Sequence, residues 1–414
     1  MRKKIVLITV EGGLDLNKGG PTKVIFELIK ASLKNSSRKY DYIGIFSRRF
    51  IEISDEKNYN YQFIFDESIQ NKRVSAIRKF LRNIQELYLI VSSIRFLINF
   101  YRNCFKKRKE IVLVNAHDVT AGFLYLIFFK KIFKKPLILS IHSKGSWSKR
   151  ECKVSWFFKK LLLLIEKTAI KKADLVTTPS YGAFMHLNED LKLVDINKKL
   201  KVIHNGIEVE ANYSIEIKDI DIRFEQLIRQ NKKIMLSVPS ALVKEKGVDI
   251  LFKAYDSLCE DIKRELKLVI VGDGPEKGNF ENLIRKNKII IFPKLPRKII
   301  LYFMANSTFF VLPHRISIFD YVLLEAMVMR LAIITTPVGG NLEIFTEKDT
   351  VVFVPPNDVK ILAEKIIFLL NNDEYRKKIA QNAFELVKKN FSLERMFFNY
   401  EKTYNLALRY FNKK

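Results

Sequence analysis

One carboxylate stands inside an apolar helical pattern and calls for a chemical explanation. Glu325 lies among Val322, Leu323, Ala326 and Met327, which are spaced as one face of a helix. An unpaired buried carboxylate is costly, so Glu325 needs a partner. Backbone N–H groups at a helix N-terminus attract anions. A ligand that carries phosphate together with sugar hydroxyls would suit both groups, and an ordinary solvated helix residue is the alternative.

Two histidines follow neighbouring apolar runs at equivalent positions. His117 comes after residues 111–114, and His142 comes directly after residues 136–141. Both runs read as buried parallel strands, and ligands of open α/β sheets bind at the carboxyl ends of the strands. A lone histidine is more often structural, but two at equivalent positions favour a functional role for His142.

Glycine pairs at two places suit close backbone approach to an anion. Gly19 and Gly20 precede a helix that opens at Pro21, although an ordinary βα turn is the more common explanation for a lone glycine pair. Gly272 and Gly274 begin a dinucleotide-binding pattern whose third glycine is missing, since residue 277 is a lysine. A nicotinamide-dependent enzyme is therefore disfavoured.

The elements that must position these residues alternate between strand and helix. This alternation predicts an α/β protein with two Rossmann-like domains facing a cleft. We place the first domain at residues 1–206, a connection at 207–231, the second domain at 232–390 and a final helix at 391–414. The predicted strands are residues 5–10, 41–46, 111–114, 136–141, 175–178, 202–203, 233–238, 268–271, 289–292, 308–312, 331–334 and 351–354.

Length and composition agree with two folded domains in a reducing compartment. The chain has 414 residues, and 48% of them are hydrophobic, which excludes disorder. Its 3 cysteines form neither a disulfide framework nor a metal-ligand cluster. The apolar run at 5–10 is too short for a signal peptide, and no run of about 18 apolar residues predicts a membrane span.

The net charge of +28 indicates a polyanionic partner, namely nucleic acid, anionic lipid or a phosphate-bearing substrate. Three segments combine basic with apolar and aromatic residues: 75–109, 128–135 and 156–164. Such segments are typical of helices that lie on anionic membranes. A solvated basic face is the alternative for each one. No nucleic-acid-binding motif is present, which disfavours nucleic acid as the partner.

The chain resembles the retaining glycosyltransferases of the GT-B fold, family 4, also called glycosyl transferases group 1. The resemblance covers nearly the whole chain, and its segments are jointly specific in their order and spacing. Besides the two histidine-ended strands, they are residues 19–28, 173–180, 204–208, 243–255, 269–276, 324–327, 336–344 and 351–358.

The resemblance implies a hexosyltransferase-type enzyme that moves a sugar from a nucleotide-diphosphate donor and retains the anomeric configuration. It implies no metal or other cofactor, because protein cations and helix N-termini stabilise the departing diphosphate. With the basic segments, we expect a lipid-linked or cell-surface glycan acceptor, in polysaccharide or lipopolysaccharide biosynthesis. The expected location is cytoplasmic and peripheral, on the inner face of the plasma membrane.

The resemblance also assigns roles to individual residues, with His142, Lys246 and Glu325 as the catalytic set. Lys246 matches a lysine that contacts the donor diphosphate, Glu325 a glutamate that binds the donor ribose, and His142 a histidine that contacts the transferred sugar. The other implied donor-binding residues are Gly19, Gly20, Pro296, Ser317, Asp320, Tyr321 and Val322. His117 and Asn205 are candidate acceptor or sugar contacts.

Two departures from the family pattern bear on activity. Ser317 stands where the family has a glutamate, and Ala241 where an arginine is usual. Losing one such electrostatic contact typically lowers the rate by about 10²–10³. Nearby His314, Arg315 or Asp320 could compensate. The runner-up function is therefore a catalytically weak or inactive homologue that serves as a sugar-nucleotide-binding or partner subunit.

Overall fold

The structure, a computed structural model, describes residues 3–9, 21–35, 39–45, 50–53, 85–142, 155–193, 196–209 and 220–412. The chain divides into two compact units, one formed by Met1–His204 with Glu394–Lys414 and the other by Asn205–Leu393. Gly19 and Gly20 fall outside the described residues, so their predicted contacts stay predictions.

The described part of the first unit contains a seven-stranded sheet in the order β3-β2-β1-β4-β5-β6-β7. All neighbours run parallel except β3, which pairs antiparallel with β2 at the edge. The strands are β1 (Lys3–Ile8), β2 (Tyr40–Ile45), β3 (Phe50–Ile53), β4 (Ile111–Ala116), β5 (Leu137–Ser140), β6 (Leu175–Thr178) and β7 (Leu200–Val202).

Helices cover this sheet, and one of them comes from the far end of the chain. They are α1 (Pro21–Lys34), α2 (Gln85–Cys104), α3 (Val119–Leu124), α4 (Lys130–Phe133), α5 (Trp156–Lys172), α6 (Tyr181–Leu191) and the C-terminal α17 (Leu393–Asn412). A π-helical turn at Tyr125–Phe129 joins α3 to α4, and a 3₁₀ turn at Ile196–Lys198 precedes β7.

The second unit contains a six-stranded parallel sheet in the order β10-β9-β8-β11-β12-β13. Its strands are β8 (Lys233–Ala241), β9 (Leu266–Asp273), β10 (Ile290–Phe292), β11 (Phe309–Leu312), β12 (Ala332–Thr335) and β13 (Val352–Phe353). Its helices are α7 (Ile222–Arg229), α8 (Val248–Asp256), α9 (Glu260–Glu265), α10 (Glu276–Asn279), α11 (Glu281–Lys286), α12 (Arg297–Ala305), α13 (Tyr321–Val328), α14 (Asn341–Ile344), α15 (Val359–Asn371) and α16 (Asp373–Asn390).

The central strands are buried on both faces, which explains their unbroken apolar runs. After Lys3, every residue of β1 is buried, and all of β5, β11 and β12 are buried too. Helices cover both faces of a parallel sheet, so side chains that point to either face are buried. Such strands therefore do not alternate between apolar and polar residues. The α/β class that the sequence predicted is confirmed.

The strand order places one crevice at the carboxyl edge of each sheet. Connections leave in opposite directions from β1 and β4 in the first sheet, and from β8 and β11 in the second. Ligands of doubly wound sheets bind at this switch point, beyond the carboxyl ends of the strands. The loops after β4, β8 and β11 carry His117, Lys246 and Asp320, so three predicted site residues lie at these positions.

Two elements were not predicted from the sequence. β3 is a four-residue edge strand, and α7 lies within residues 207–231, which we had expected to be a connection. α7 belongs to the second core, where the ring of Phe224 stacks on Phe303 with centroids 3.7 Å apart. Among the described residues, no helix has both the length and the apolarity needed to cross a bilayer.

Candidate functional site

The second unit brings Lys246 and Asp320 together across its switch point. Lys246 ends the 3₁₀ turn that follows β8, and Asp320 directly precedes α13. Although the two residues are 74 positions apart, Lys246 Nζ lies 3.1 Å from Asp320 Oδ1. Both side chains are largely buried, with 15% and 20% of their surface exposed.

The other carboxylate oxygen of Asp320 has two further partners. Nδ1 of His314 lies 2.8 Å away, and the hydroxyl of Ser317 donates a hydrogen bond of 2.8 Å. Burial alone would raise the pKa of Asp320, but Lys246, His314 and Ser317 outweigh it and hold that pKa well below its usual range. Asp320 is therefore ionised, and its side chain binds these groups instead of capping α13.

Arg315 holds the loop that carries Lys246. Its guanidinium forms two hydrogen bonds with Asp249, of 2.6 and 2.7 Å, and also donates to the carbonyl of Lys244. Its backbone N–H donates to the carbonyl of Glu245 at 2.9 Å. A paired guanidinium of this kind anchors a turn. Arg315 is thus engaged in the scaffold, which leaves it poorly placed to replace the arginine missing at residue 241.

Glycines allow the loops of this site to touch each other through their backbones. Gly247 has φ +66°, and a Cβ there would lie 1.8 Å from the carbonyl oxygen of Pro313. A Cβ at Gly339 would lie 1.9 Å from the oxygen of Ser317, and one at Gly340 would lie 1.9 Å from that of Ile318. A side chain at any of these positions would displace the loop that bears Ser317 and Asp320.

Glu325 is buried in α13 and has a cationic partner. Nε of Arg297 lies 2.9 Å from Glu325 Oε1, with 8% of the glutamate side chain and 35% of the arginine side chain exposed. Arg297 opens α12, and the exposed Pro296 is the residue before it. The carboxylate is therefore not an ordinary solvated helix residue, because it is buried and ion-paired.

The structure also describes the other predicted residues of the second unit. Tyr321 and Val322 begin α13, are half-buried and pack against the apolar core. Ser317 is buried against the carboxylate of Asp320. Asn205 is buried at the start of the unit, and its role as an acceptor or sugar contact stays a prediction.

The first unit pairs the two predicted histidines. Nδ1 of His117 lies 3.1 Å from Nε2 of His142, and the planes of the two rings are parallel to within 1°. Burial and the neighbouring His142 lower the pKa of His117 well below its usual range, and burial lowers that of His142 to about 4. Both rings are therefore neutral at physiological pH.

A buried polar network supports the strand ends beside these histidines. Ser140 donates to Asn115 at 2.9 Å, Thr177 donates to Ser140 at 2.7 Å, and Asn115 donates to the hydroxyl of Tyr404 at 3.1 Å. Tyr400, one turn earlier on α17, is buried beside Ser140 and Thr177. The C-terminal helix therefore fixes the carboxyl ends of β4, β5 and β6.

The structure also gathers the basic amphipathic segments into one layer of helices. α3 packs against both α2 and α5. This layer carries many of the exposed apolar side chains among the described residues; we call these the apolar surface set, and they are Ile90, Ile94, Ile98, Tyr101, Ile127, Phe128, Ile132, Trp156, Phe157, Leu161 and Leu164. Residues 75–84 of the first segment lie outside the described residues.

Sequence reasoning missed Arg297 and Asp249. Arg297 sits in the first turn of a helix, where a cation opposes the macrodipole, and this conflict was the available signal that a carboxylate lies nearby. Asp249 lies in the first turn of α8, where an acidic residue is ordinary, so nothing marked it as a partner of Arg315. In the described part of the chain, no group of three or more His, Cys, Asp or Glu could hold a metal ion.

Comparisons with known proteins find similar chains. The model of the glycosyltransferase family 4 domain matches residues 62–211, and that of the glycosyl transferases group 1 matches residues 218–386. An uncharacterised glycosyltransferase of Methanocaldococcus jannaschii is 28% identical over 326 residues, which cover 75% of this chain and 79% of that protein. The 2-deoxystreptamine N-acetyl-D-glucosaminyltransferase of Niallia circulans is 24% identical over 309 residues, 72% of this chain and 77% of that one.

A solved structure shows the same fold over the full length. Anabaena HepE in complex with UDP-glucose superposes with a TM-score of 0.66 at 16% identity, covering 98% of this chain and 100% of that chain. The GT-B fold predicted from the sequence is thereby confirmed. The two matched models together span both units, and the chain belongs to the group 1 glycosyltransferases.

Proposed function

We propose that this glycosyltransferase takes a sugar from a nucleotide-diphosphate donor and retains the anomeric configuration. The observation that carries the proposal is the arrangement at the switch point of the second sheet. There, Lys246 and the N-terminus of α13 lie beyond the ends of β8 and β11, and Glu325 follows on the same helix. The relative solved with UDP-glucose has the same fold.

Each group has a distinct task in this proposal. Lys246 and the backbone N–H groups of Tyr321 and Val322 stabilise the charge of the departing diphosphate. Glu325 accepts hydrogen bonds from the ribose hydroxyls, while Arg297 holds its carboxylate in place. His142, in the first unit, contacts the transferred sugar. Because protein groups supply the positive charge, we propose that the reaction needs no metal ion, and activity in excess EDTA would test this.

The first experiment is a screen for donor binding and hydrolysis with UDP-, GDP-, ADP- and dTDP-sugars. We expect one donor to bind and to be hydrolysed slowly, and Glu325→Ala to lose both activities. Glu364→Ala, which removes an exposed carboxylate from α15, is the matched control and should behave as wild type. Failure of every donor to bind would overturn the proposal, and NMR of the transferred product would show whether the anomeric configuration is retained.

One observation favours the alternative of a weak or inactive sugar-nucleotide-binding subunit. Lys246 is already neutralised by Asp320, and Ser317 supplies a hydroxyl where the family pattern has a carboxylate. A donor that binds without turnover, even when membrane extract supplies acceptors, would establish this alternative. The same screen therefore separates the two functions.

We further propose that the acceptor is a lipid-linked or cell-surface glycan reached at the cytoplasmic face of the membrane. The support is the helical layer of α2, α3, α4 and α5, whose apolar surface set is interleaved with basic residues. Trp156 and Phe157 are 70% and 71% exposed, and the ammonium of Lys160 lies 3.8 Å from the ring centroid of Trp156. Such a face inserts its apolar side chains between headgroups while its cations contact anionic lipid.

Vesicle flotation tests this part of the proposal. The protein should float with vesicles that contain phosphatidylglycerol, less so in high salt, and not with phosphatidylcholine alone. Replacing both Trp156 and Phe157 by serine should weaken binding at least about tenfold, since each aromatic buries a large apolar area. Leu342→Ser, at an exposed position of the second unit, is the control. Equal flotation of all variants, or none with anionic vesicles, would refute membrane docking through this face.

A further inference from the structure

The histidine pair of the first unit has a feature that the proposed function does not use. Its hydrogen bond engages one nitrogen of each ring, His117 Nδ1 and His142 Nε2. The outer nitrogens, His117 Nε2 and His142 Nδ1, are buried and have no hydrogen-bond partner among the described residues. Buried polar atoms are rarely left unpaired, so these two atoms require an explanation.

One shared proton links the states of the two rings. A neutral imidazole carries one N–H, so only one of the two facing nitrogens can be the donor. If His117 donates from Nδ1, its Nε2 is a lone pair and His142 must carry its proton on Nδ1. If His142 donates from Nε2, its Nδ1 is a lone pair and His117 must carry its proton on Nε2.

Burial decides between these two arrangements. His117 has no exposed surface, whereas His142 is half-buried at the end of its strand. An unpaired N–H in a protein interior is rarer than an unpaired acceptor. Both outer nitrogens are buried, but only His142 has any exposed surface. The nitrogen of the more deeply buried residue, His117 Nε2, is therefore the one expected to be the lone pair.

We infer that His117 is a positioning residue that donates its Nδ1–H to His142 Nε2, so that His142 offers its Nδ1–H to a hydroxyl oxygen of the transferred sugar. The sugar hydroxyl is then the missing partner of the unpaired nitrogen. The two rings are parallel and joined by this hydrogen bond, so His117 also fixes the plane of His142. The backbone N–H of His117 donates to the carbonyl of Ile8 at 2.8 Å, which holds His117 in turn. The role of His142 in this inference rests on the proposed function.

The tautomer can be read directly from the free protein. Long-range ¹H–¹⁵N correlation spectra of ¹⁵N-histidine-labelled protein distinguish protonated from unprotonated ring nitrogens, and the spectrum of His142→Gln identifies the signals of His142. We expect His142 to be protonated on Nδ1 in wild type and in His117→Asn, whose side-chain amide can still donate. In His117→Phe, which keeps a flat ring but no donor, we expect His142 to lose this fixed tautomer.

The rate of donor hydrolysis provides a second readout. It is measured with the one of UDP-, GDP-, ADP- or dTDP-glucose that the protein hydrolyses. His142→Ala should lower hydrolysis by about 10², and His117→Phe by about 10-fold. The double variant should be no slower than His142→Ala, because His117 acts through His142. The control is His186→Phe, on α6.

Two results would overturn the inference: protonation of His142 on Nε2 in the wild type, or additive losses in the double variant. If no donor is hydrolysed, the proposed function fails while the spectra still decide the tautomer.

Discussion

Asp320 is the residue whose presence at the site most needs a physical account. A carboxylate beside Lys246 opposes a diphosphate, because two like charges close together in a partly buried site repel each other. In this structure it compensates Lys246 and binds His314 and Ser317 as well. A donor diphosphate bound as proposed would therefore have to compete with Asp320 for Lys246.

We predict that Asp320→Asn binds UDP about tenfold more tightly than wild type. The change removes one negative charge from the diphosphate site and leaves the ammonium of Lys246 uncompensated. Isothermal titration calorimetry with UDP measures the effect. Asp261→Asn, which removes an exposed carboxylate in α9, should leave the affinity unchanged.

A weaker affinity in Asp320→Asn would have the opposite meaning. Asp320 would then help to hold the site in its binding geometry, and the loss of the His314 and Ser317 contacts would outweigh the gain in charge. A melting temperature measured for the same variant shows whether the loop itself has been disturbed.

The sequence predicted some of these residues and not their pairings. Glu325 and His142 were found because each breaks an apolar pattern at a strand end or on a helix face. The ion pairs Lys246–Asp320 and Arg297–Glu325 join segments that are far apart in the chain. The periodicity of the sequence cannot reveal such a contact. The contact depends on the order of the strands in the sheet, which decides which strand ends are neighbours.

At the scale of elements, a buried interior strand was predicted well, whereas an edge strand and a helix in a charged stretch were not. β6 begins and ends where the sequence predicted, at 175 and 178, because both its faces are buried. β3 has four residues at a sheet edge, and α7 lies in a charged stretch. Their structure comes from pairing with β2 and from packing of Phe224 in the core, which are tertiary effects.

The loops of the second unit give a stability prediction. We predict that Gly340→Ala lowers the free energy of unfolding by about 2 kcal/mol or more, because the new Cβ would lie 1.9 Å from the carbonyl oxygen of Ile318. Urea denaturation followed by circular dichroism measures the change.

Gly278→Ala is the matched control for this prediction. It places the same methyl group on α10, where no atom lies within 4 Å of the new Cβ, so stability should stay the same or rise slightly. Equal stability of Gly340→Ala and wild type would mean that the backbone contact between the 339–340 turn and the 317–318 loop is dispensable.

For the whole molecule, the buried histidines predict a loss of stability in mild acid. Burial lowers the pKa of His142 to about 4, and burial together with Arg395 lowers that of His204 to about 4. The unfolded chain binds these protons with a pKa of about 6.5. The unfolded state therefore binds more protons below that pH, and stability falls as the pH drops from about 6.5 towards 4.

The urea midpoint should accordingly be lower at pH 5 than at pH 7. Each of these two histidines contributes up to about 1.4 kcal/mol per pH unit over this range. His204→Gln should reduce the pH dependence, whereas His186→Gln, at a partly exposed position with 37% of its side chain accessible, should not. A midpoint that does not change between pH 7 and pH 5 would contradict the prediction.

The glycine contacts among the loops of the second unit bear on how donor specificity could be re-engineered. Grafting the 313–320 loop of this protein into a related scaffold would fail unless Gly247 and the Gly339–Gly340 turn were transferred with it, since a side chain at any of them collides with that loop. Three sequence-distant segments therefore form a single exchangeable module. Recombination libraries should take all three segments from the same parent and vary the residues that line this module.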